Sequence, residues 1–240
     1  MGRVRTFGAS ITGKRHQLQR KPNDDAWLSG SGHFGSFVCV ADGVGSARNA
    51  RKGAKEACNA VRAVVGMAHV ALGDVCSTLQ DFAKHIETTW ADLIRPDQPE
   101  ECATTCLVAW HKRDGSLLVG GIGDGMIIAR VDGETRWVVG PPHDKFNAST
   151  STLGQGCRWA GFEISAPSTF QILLATDGVA DDTRPEKINE FIDWLMAEIG
   201  TLDTAGRRSK LRNALWNWPT PGSDDDRTLS VLHGVLRRSA

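Results

Sequence analysis

The chain has 240 residues, of which 40% are hydrophobic and 23% are charged, as is ordinary for a soluble globular protein. Lysine plus arginine and aspartate plus glutamate both number 28, so no overall electrostatic field favours nucleic acid or a membrane surface as a partner. The length suits one domain, which we take as residues 1–240, and no apolar run approaches membrane-spanning length. The N-terminal residues lack the continuous hydrophobic segment of a signal peptide, which favours a cytoplasmic location.

Hydrophobic periodicity divides the first half of the chain into strands followed by a pair of helices. A strand is predicted at Arg3–Ile11, and after a polar loop a strongly apolar strand is predicted at Phe34–Ala41. Apolar residues at helical spacing predict one helix from Ala50 to Ala68 and a second over Leu79–Ile94. The other faces of the first helix carry basic residues: Arg48, Arg51, Lys52, Lys55 and Arg62.

The second half of the chain begins with short strands and ends with helices and a closing strand. Four strands are predicted at Ala103–Trp110, Ser116–Ile122, Met126–Val131 and Thr135–Val139. The turns between them read RDG, GDG and DGE, which are typical of hairpins, so we expect antiparallel pairing. Further elements are a strand at 170–176, helices at 185–199 and 205–216, and a strand at 228–235. Hairpins with helices grouped in pairs predict an α+β fold with antiparallel sheets and outer helices.

The cysteines and histidines do not suggest a site. No Cys-x-x-Cys pair occurs, so a zinc site or a thioredoxin-like redox site is a poor interpretation. We expect all six cysteines to be reduced and structural, because several lie in apolar patterns where a free thiol behaves as a small hydrophobe. They are Cys39, Cys58, Cys76, Cys102, Cys106 and Cys157.

Two apolar strands end in the same tripeptide, Asp-Gly-Val, within VCVADGVGSA (Val38–Ala47) and LLATDGVADD (Leu173–Asp182). One copy is most simply a turn, because glycine tolerates positive φ and aspartate bonds to its own backbone. Two copies can set two carboxylates side by side, and at about 4 Å such a pair repels by roughly 4 kcal/mol. A fold that keeps this pair needs a cation between its members, and Mg²⁺ or Mn²⁺ suits oxygen ligands.

Further acids lie in loops beside the ends of predicted strands. Each group alone is most often a solvated turn, but five groups at strand ends indicate a shared metal centre. In addition to Asp42 and Asp177 in the two tripeptides, the acids are Asp24, Asp25, Asp124, Asp224, Asp225 and Asp226.

Six segments of the chain together resemble the metal-dependent protein phosphatases (the PPM family, type 2C). In order, they are RKPNDDAW, VCVADGVGSA, ATTCLVAW, GGIGDGMIIAR, LLATDGVADD and DDDRTLSVL. The resemblance extends from Arg20 to Leu232 and is greatest to a compact bacterial branch of the family. It implies a central antiparallel β-sandwich flanked by helix pairs, in α-β-β-α layers, with a two-metal site at one end.

The resemblance also implies metal ligands. Asp42 would bridge two divalent cations, either Mn²⁺ or Mg²⁺, and the carbonyl of Gly43 would bind the second cation. Asp177 and Asp225 would complete the first site, and Asp124 matches the position of a third, weaker metal. The family pattern D-[DN]-x-T, anchored on Thr228, selects Asp225 as the ligand among three consecutive acids and leaves Asp224 outside the motif.

Other residues would act on water and on phosphate. By the same resemblance, Asp24 and Asp25 would hold metal-bound waters, and Arg20 would grip the phosphate. Lys14, Arg15 and Lys21 are close in sequence and are alternatives for the phosphate-binding role. The family often has glutamate at position 24, and eukaryotic members often have histidine where Val44 stands, so the proton for the leaving group would come from water. The segment Gly140–Gly156 is short for a substrate flap.

These features predict a bacterial signalling enzyme, a serine/threonine protein phosphatase that uses a metal-activated water. Its partners would be a phosphorylated protein and the cognate kinase, with no nucleic acid and no membrane. Two alternatives stay open. One is a binding or sensor module that keeps the fold without efficient catalysis, and the other is a small-molecule phosphoesterase. Phosphatase activity with added manganese tests the first alternative, and a comparison of phosphopeptides with small phosphorylated metabolites tests the second.

Overall fold

The computed structural model describes residues 3–68, 78–140, 151–156, 158–218 and 223–236. Its strands form two five-stranded sheets in which all neighbouring strands are antiparallel. In spatial order, the first sheet contains β1 (Arg3–Ile11), β10 (Arg227–Val235), β9 (Thr169–Ala175), β6 (Met126–Val131) and β7 (Glu134–Val139). The second contains β2 (Asp25–Gly32), β3 (Gly35–Asp42), β4 (Cys106–Lys112), β5 (Leu117–Ile122) and β8 (Ala160–Ile164).

Helices cover the outer faces of both sheets. The α-helices are α1 (Lys14–Gln19), α2 (Ala50–Ala68), α3 (Leu79–Ile94), α4 (Asp177–Ala180), α5 (Ile188–Leu195) and α6 (Thr204–Trp216). Two 3₁₀ turns lie at Pro99–Cys102 and Pro185–Lys187, and a π-helical turn at Met196–Gly200 follows α5. None of the described helices is both long enough and apolar enough to cross a membrane.

Three apolar layers hold the sheets and helices together. Strand β3 shows why, because successive side chains point to opposite faces of a sheet. Val38 and Val40 pack between the two sheets, whereas Phe37 and Cys39 pack under α2 and α3. A third layer lies between the first sheet and the pair α5 and α6. The α-β-β-α architecture expected from the sequence is therefore confirmed.

The main differences from the sequence prediction concern four short elements. The sequence does not predict strands β2 and β8 or helices α1 and α4 as regular structure. The residues of β2 are only partly buried, and its sequence DAWLSGSG mixes small, polar and apolar residues without alternation. β8 is a mostly exposed edge strand, and α1 buries a single side chain. Tertiary contacts, which overrule weak local preference, therefore form these elements.

Some predictions fall partly outside the described residues. Residues 141–150 of the short irregular segment lie there, as do Cys76 and Cys157. Within the described ranges, Cys39, Cys58, Cys102 and Cys106 are free and buried. This agrees with the expectation of reduced, structural cysteines at those four positions.

Candidate metal centre

The acidic loops converge at one end of the β-sandwich. Asp25 opens β2 and is the direct cross-strand partner of Asp42, which closes β3. Asp177 follows β9 as the first residue of α4, and Asp225 precedes β10. A pocket of about 170 Å³ lies between these loops. Its walls include Asp24, Asp42, Gly43, Asp124, Asp177 and Asp225, together with Arg15, His16, Val44, Gly45, Thr105 and Asp226.

The two Asp-Gly sequences are explained by close packing of the backbone. Neither Gly43 nor Gly178 has a positive φ, so a turn conformation is not what requires glycine there. A Cβ atom on Gly43 would lie 2.5 Å from the carbonyl oxygen of Ala50, at the start of α2. A Cβ atom on Gly178 would overlap the carbonyl oxygen of Asp226. Glycine at position 43 allows the first turn of α2 to lie close to Asp42, and glycine at position 178 allows the loop before β10 to lie close to Asp177.

The carboxyls of the pocket raise the pKa values of one another. Burial raises the pKa of Asp177 to about 6, with further contributions from Asp124 and Asp225. Burial also raises the pKa of Asp42 well above its usual value, and the charges of Asp25 and Asp177 add to this effect. The charge of Asp177 disfavours ionisation of Asp42, so a proton bound by either carboxyl relieves the repulsion between them. A cation can take the place of that proton, and oxygen-only ligands suit Mg²⁺ or Mn²⁺.

Asp25 lies beside these acids and joins the two sheets. Burial raises its pKa to about 8, although two hydroxyl groups partly offset that effect. The hydroxyls of Thr176 and Thr228 donate to Oδ2 of Asp25 at 2.9 and 2.7 Å. Thr176 and Thr228 belong to the first sheet and its loops, whereas Asp25 belongs to the second. Asp25 is therefore held in one orientation from the opposite sheet.

The buried carboxylate of Asp226 connects three segments around the pocket. Its Oδ1 accepts a hydrogen bond from the backbone N–H of Gly13 at 2.8 Å. Its Oδ2 accepts from the backbone N–H of Asp24 at 2.7 Å and lies 2.9 Å from Nδ1 of His16. Asp226 thus lies in the pocket wall with both of its carboxylate oxygens already engaged by other groups. The choice of Asp225 as the ligand stays a prediction.

His16 and Arg15 line the pocket, although little in the local sequence pattern singles them out. His16 is buried, and its Nε2 lies 3.9 Å from a carboxylate oxygen of Asp24. A single histidine in a polar loop carries no pattern that separates it from a surface residue. Arg15 forms an ion pair of 2.5 Å with Asp225. By its place in the sequence, Arg15 is one of three alternatives to Arg20, together with Lys14 and Lys21.

Arg20 is the one proposed site residue that lies away from the pocket walls. It ends α1 in a left-handed conformation, with φ of 54°, and its side chain is exposed. It does not belong to the described residues that line the pocket, whereas Arg15 on the same helix does. The other proposed residues lie in the walls or, for Asp25, directly beside them.

The raised pKa values predict that the metal-free protein loses stability as pH rises. The folded protein keeps protons on Asp25 and Asp177 up to about pH 8 and about pH 6, whereas the unfolded chain releases them near pH 4. The unfolded state therefore binds fewer protons in this window, and the free energy of unfolding should fall between about pH 4 and about pH 8. Urea unfolding in EDTA measures this fall. Manganese should flatten the slope, and a metal-free protein that gains stability up to pH 8 would contradict the assignment.

Three single substitutions separate the roles of the consecutive acids. Asp226→Ala leaves two backbone N–H groups without their acceptor, so it should lower the free energy of unfolding by about 2–4 kcal/mol. Asp225→Ala removes a half-exposed ion pair and should change stability by less than about 1 kcal/mol, yet cost the most manganese affinity. Asp224→Ala, at an exposed position, should be mild in both respects.

Urea unfolding and calorimetric titration with manganese, both on each variant, decide among these roles. Asp226→Asn serves as the conservative control because it keeps an oxygen acceptor for the backbone. If a folded Asp224 or Asp226 variant loses more metal affinity than Asp225→Ala, the ligand must be reassigned by one residue.

Comparison with known proteins agrees with this geometry. No curated protein sequence matches the chain significantly. The catalytic domain of the serine threonine protein phosphatase PstP, solved with two manganese ions, is 19% identical with a TM-score of 0.64, covering 98% of this chain and 100% of that one. A bacterial serine phosphatase is 15% identical with a TM-score of 0.69, covering 99% and 100%. PppA from Pseudomonas aeruginosa is 16% identical with a TM-score of 0.62, covering 95% and 96%. The family model described as Protein phosphatase 2C matches residues 12–216, and the chain belongs to that family.

Proposed function

We propose that the chain is a metal-dependent serine/threonine protein phosphatase that hydrolyses phosphoserine and phosphothreonine in proteins. The observation that carries this proposal is the meeting of Asp42, Asp177 and Asp225 around one pocket, where burial and the neighbouring acids raise the pKa values of Asp42 and Asp177. Such a set repels itself unless cations bind, and its oxygen atoms suit Mn²⁺ or Mg²⁺. Membership of the family and the manganese-bound fold of PstP support the same reading.

The chain offers ligands for two cations and a weaker third. Asp42 would contact both of the first two, the carbonyl of Gly43 the second, and Asp177 and Asp225 the first. Asp124, on an exposed turn at the pocket wall, would serve the third. When bound, the cations lower the pKa of a water molecule and offset the charge of the phosphate group.

The remaining acids orient water. Asp24 presents a carboxyl to the pocket, and burial raises its pKa while the charge of His16 lowers it. Asp25, fixed by two threonine hydroxyls, lies directly across the β2–β3 ladder from Asp42. We assign both residues to holding water by hydrogen bonds. Val44 has no proton to donate, so the leaving serine or threonine oxygen takes its proton from water.

An arginine of the α1 region would bind the phosphate, because its planar fork can meet two phosphate oxygens at once. The family resemblance favours Arg20, whereas the position in the pocket wall favours Arg15. The ion pair with Asp225 holds the guanidinium of Arg15 at the pocket wall, where it would meet a phosphate group bound beside the acids.

The biological partners follow from the reaction. The substrate would be a protein phosphorylated on serine or threonine, and the kinase that modifies it would be the functional counterpart. We propose a cytoplasmic setting and a role in bacterial signalling. PstP and the other solved relatives are described as serine/threonine or serine phosphatases, which supports this substrate class.

Hydrolysis should depend on added metal and should favour phosphopeptides. We expect turnover of phosphoserine and phosphothreonine peptides with manganese, and none with excess EDTA, because the described residues that line the pocket include no cysteine or serine to act as the nucleophile. Phosphate release from a peptide panel and from small phosphorylated metabolites is the measurement. Asp177→Asn, purified in parallel, controls for contaminating phosphatase and should lose more than about 100-fold in rate. Full turnover in verified metal-free buffer would refute the metal-dependent mechanism, and preference for metabolites would favour a small-molecule phosphoesterase.

Separate replacement of Arg15, Arg20 and Lys21 by alanine should identify the phosphate-binding cation. We expect Arg15→Ala to raise KM for a phosphopeptide about tenfold, since a charged hydrogen bond contributes roughly 1.5–3 kcal/mol. Lys21→Ala should have a smaller effect. Steady-state kinetics at saturating manganese gives KM, and a manganese titration checks that metal affinity is retained. If Arg20→Ala alone raises KM, the assignment from the family resemblance is correct and the pocket position of Arg15 is not used for phosphate.

A further inference from the structure

One exposed face of α2 carries only basic charge. Arg51, Lys55 and Arg62 are all exposed, and at about 100° per residue they lie within about 40° of one another around the helix. Lys52 turns away from this face and bonds to the carboxylate of Asp97. Arg62 bonds to the neutral amide oxygen of Asn59 at 3.1 Å. We call Arg51, Lys55 and Arg62 the basic face.

The basic face begins beside the metal pocket. Gly43 and Gly45 line the pocket, and the backbone of Gly43 packs against the carbonyl of Ala50 in the first turn of α2. Arg51 follows directly, and its positive charge acts on the Asp24 carboxyl, whose pKa burial raises and Arg51 lowers. The helix rises about 1.5 Å per residue, so Arg62 lies about 16 Å farther along the axis than Arg51. The face therefore leads away from the pocket.

The concentration of charge is local. Lysine plus arginine equals aspartate plus glutamate over the whole chain, so composition does not account for a face with one sign. Arg48, which precedes α2, lies 3.8 Å from Glu101 and is partly offset by it. We therefore leave Arg48 out of the basic face. A line of three cations is short for nucleic acid, which commonly engages about six or more phosphate contacts in stable complexes.

We propose that the basic face docks acidic residues that flank the phosphorylated residue of a protein substrate. This inference rests on the phosphatase function proposed above and adds a substrate class to it. An extended peptide advances about 3.3 Å per residue, so the 16 Å of the face corresponds to about five residues. Aspartate or glutamate within roughly six residues on one side of the phosphoresidue would pair with the basic face. Surface pairs of this kind contribute little singly and weaken with salt.

The test uses three phosphopeptides of equal length. One has neutral flanks, one has four acidic residues on the N-terminal side, and one has four on the C-terminal side. We expect kcat/KM at low ionic strength to be about tenfold higher for one acidic peptide than for the neutral peptide. This selectivity ratio should shrink in high salt. In Lys55→Gln/Arg62→Gln the ratio should fall about fivefold, because two of the three pairs are lost.

The matched control removes two exposed arginines from the opposite side of the sandwich. Arg208→Gln/Arg212→Gln changes α6, which packs on the first sheet, and should leave the ratio unchanged. Equal rates for all three peptides, or equal ratios in both double variants, would overturn the docking inference. Hydrolysis of p-nitrophenyl phosphate with manganese in the same preparations shows that the phosphatase proposal stands independently.

A binding measurement keeps the inference testable if no phosphoester is hydrolysed. Fluorescence anisotropy of a labelled, unphosphorylated acidic peptide should show binding to the wild-type protein and to the α6 control, and weaker binding to Lys55→Gln/Arg62→Gln. Failure of the acidic peptide to bind refutes the docking role. Binding of single-stranded RNA that the acidic peptide does not displace would assign the basic face to nucleic acid instead.

Discussion

The carboxylate of Asp226 is the interaction on which the geometry of the site depends. It receives backbone N–H groups from Gly13 and Asp24 and contacts His16, so it joins the start of α1, the start of β2 and the loop before β10. Gly13 and Asp226 are 213 positions apart in the chain. Because the carboxylate is buried, each bond forms in a low-dielectric setting where an unpaired charge would be costly. The start of β2, which carries Asp24 and Asp25, is thereby held against the loop that carries Asp225.

The layers of the sandwich explain how the protein tolerates repulsion at one end. Apolar residues fill the space between the sheets and under both helix pairs, whereas the acids occupy loops and strand ends at a single edge. The hydrophobic contribution to stability is proportional to the apolar area that is buried. The core can therefore stabilise the fold even though the acids at one edge repel one another. The residues that stabilise the fold and the residues of the candidate site thus lie in different regions. The raised pKa values of Asp25, Asp42 and Asp177 show that these acids are buried close to one another at the edge.

Sequence patterns and the family resemblance predicted the architecture and the meeting of the acids at one end of it, but not α1. The repeated Asp-Gly after apolar strands predicted that Asp42 and Asp177 approach each other, because antiparallel strands bring alternate loops to the same end. Anchoring on Thr228 selected Asp225; both Asp225 and Asp226 lie in the pocket wall, so the choice between them stays a prediction. His16 and Arg15 lie on a six-residue helix without an apolar stripe, which forms because Asp224 and Asp226 bond its backbone and first turn. Only long-range contacts define such a helix, so local periodicity cannot reveal it.

The contact of Asp25 with Thr176 and Thr228 has a mechanical consequence for the two sheets. Apolar contacts between sheets are non-directional and by themselves permit one sheet to slide over the other. Hydrogen bonds have a narrow range of length and angle, so hydrogen bonds between the sheets at this edge resist such sliding. Asp42 belongs to one sheet, whereas Asp177 and Asp225 adjoin the other, and any sliding would change the spacing between them. The hydrogen bonds of Asp25 therefore fix the distance between the acids that the two sheets carry at this end of the sandwich.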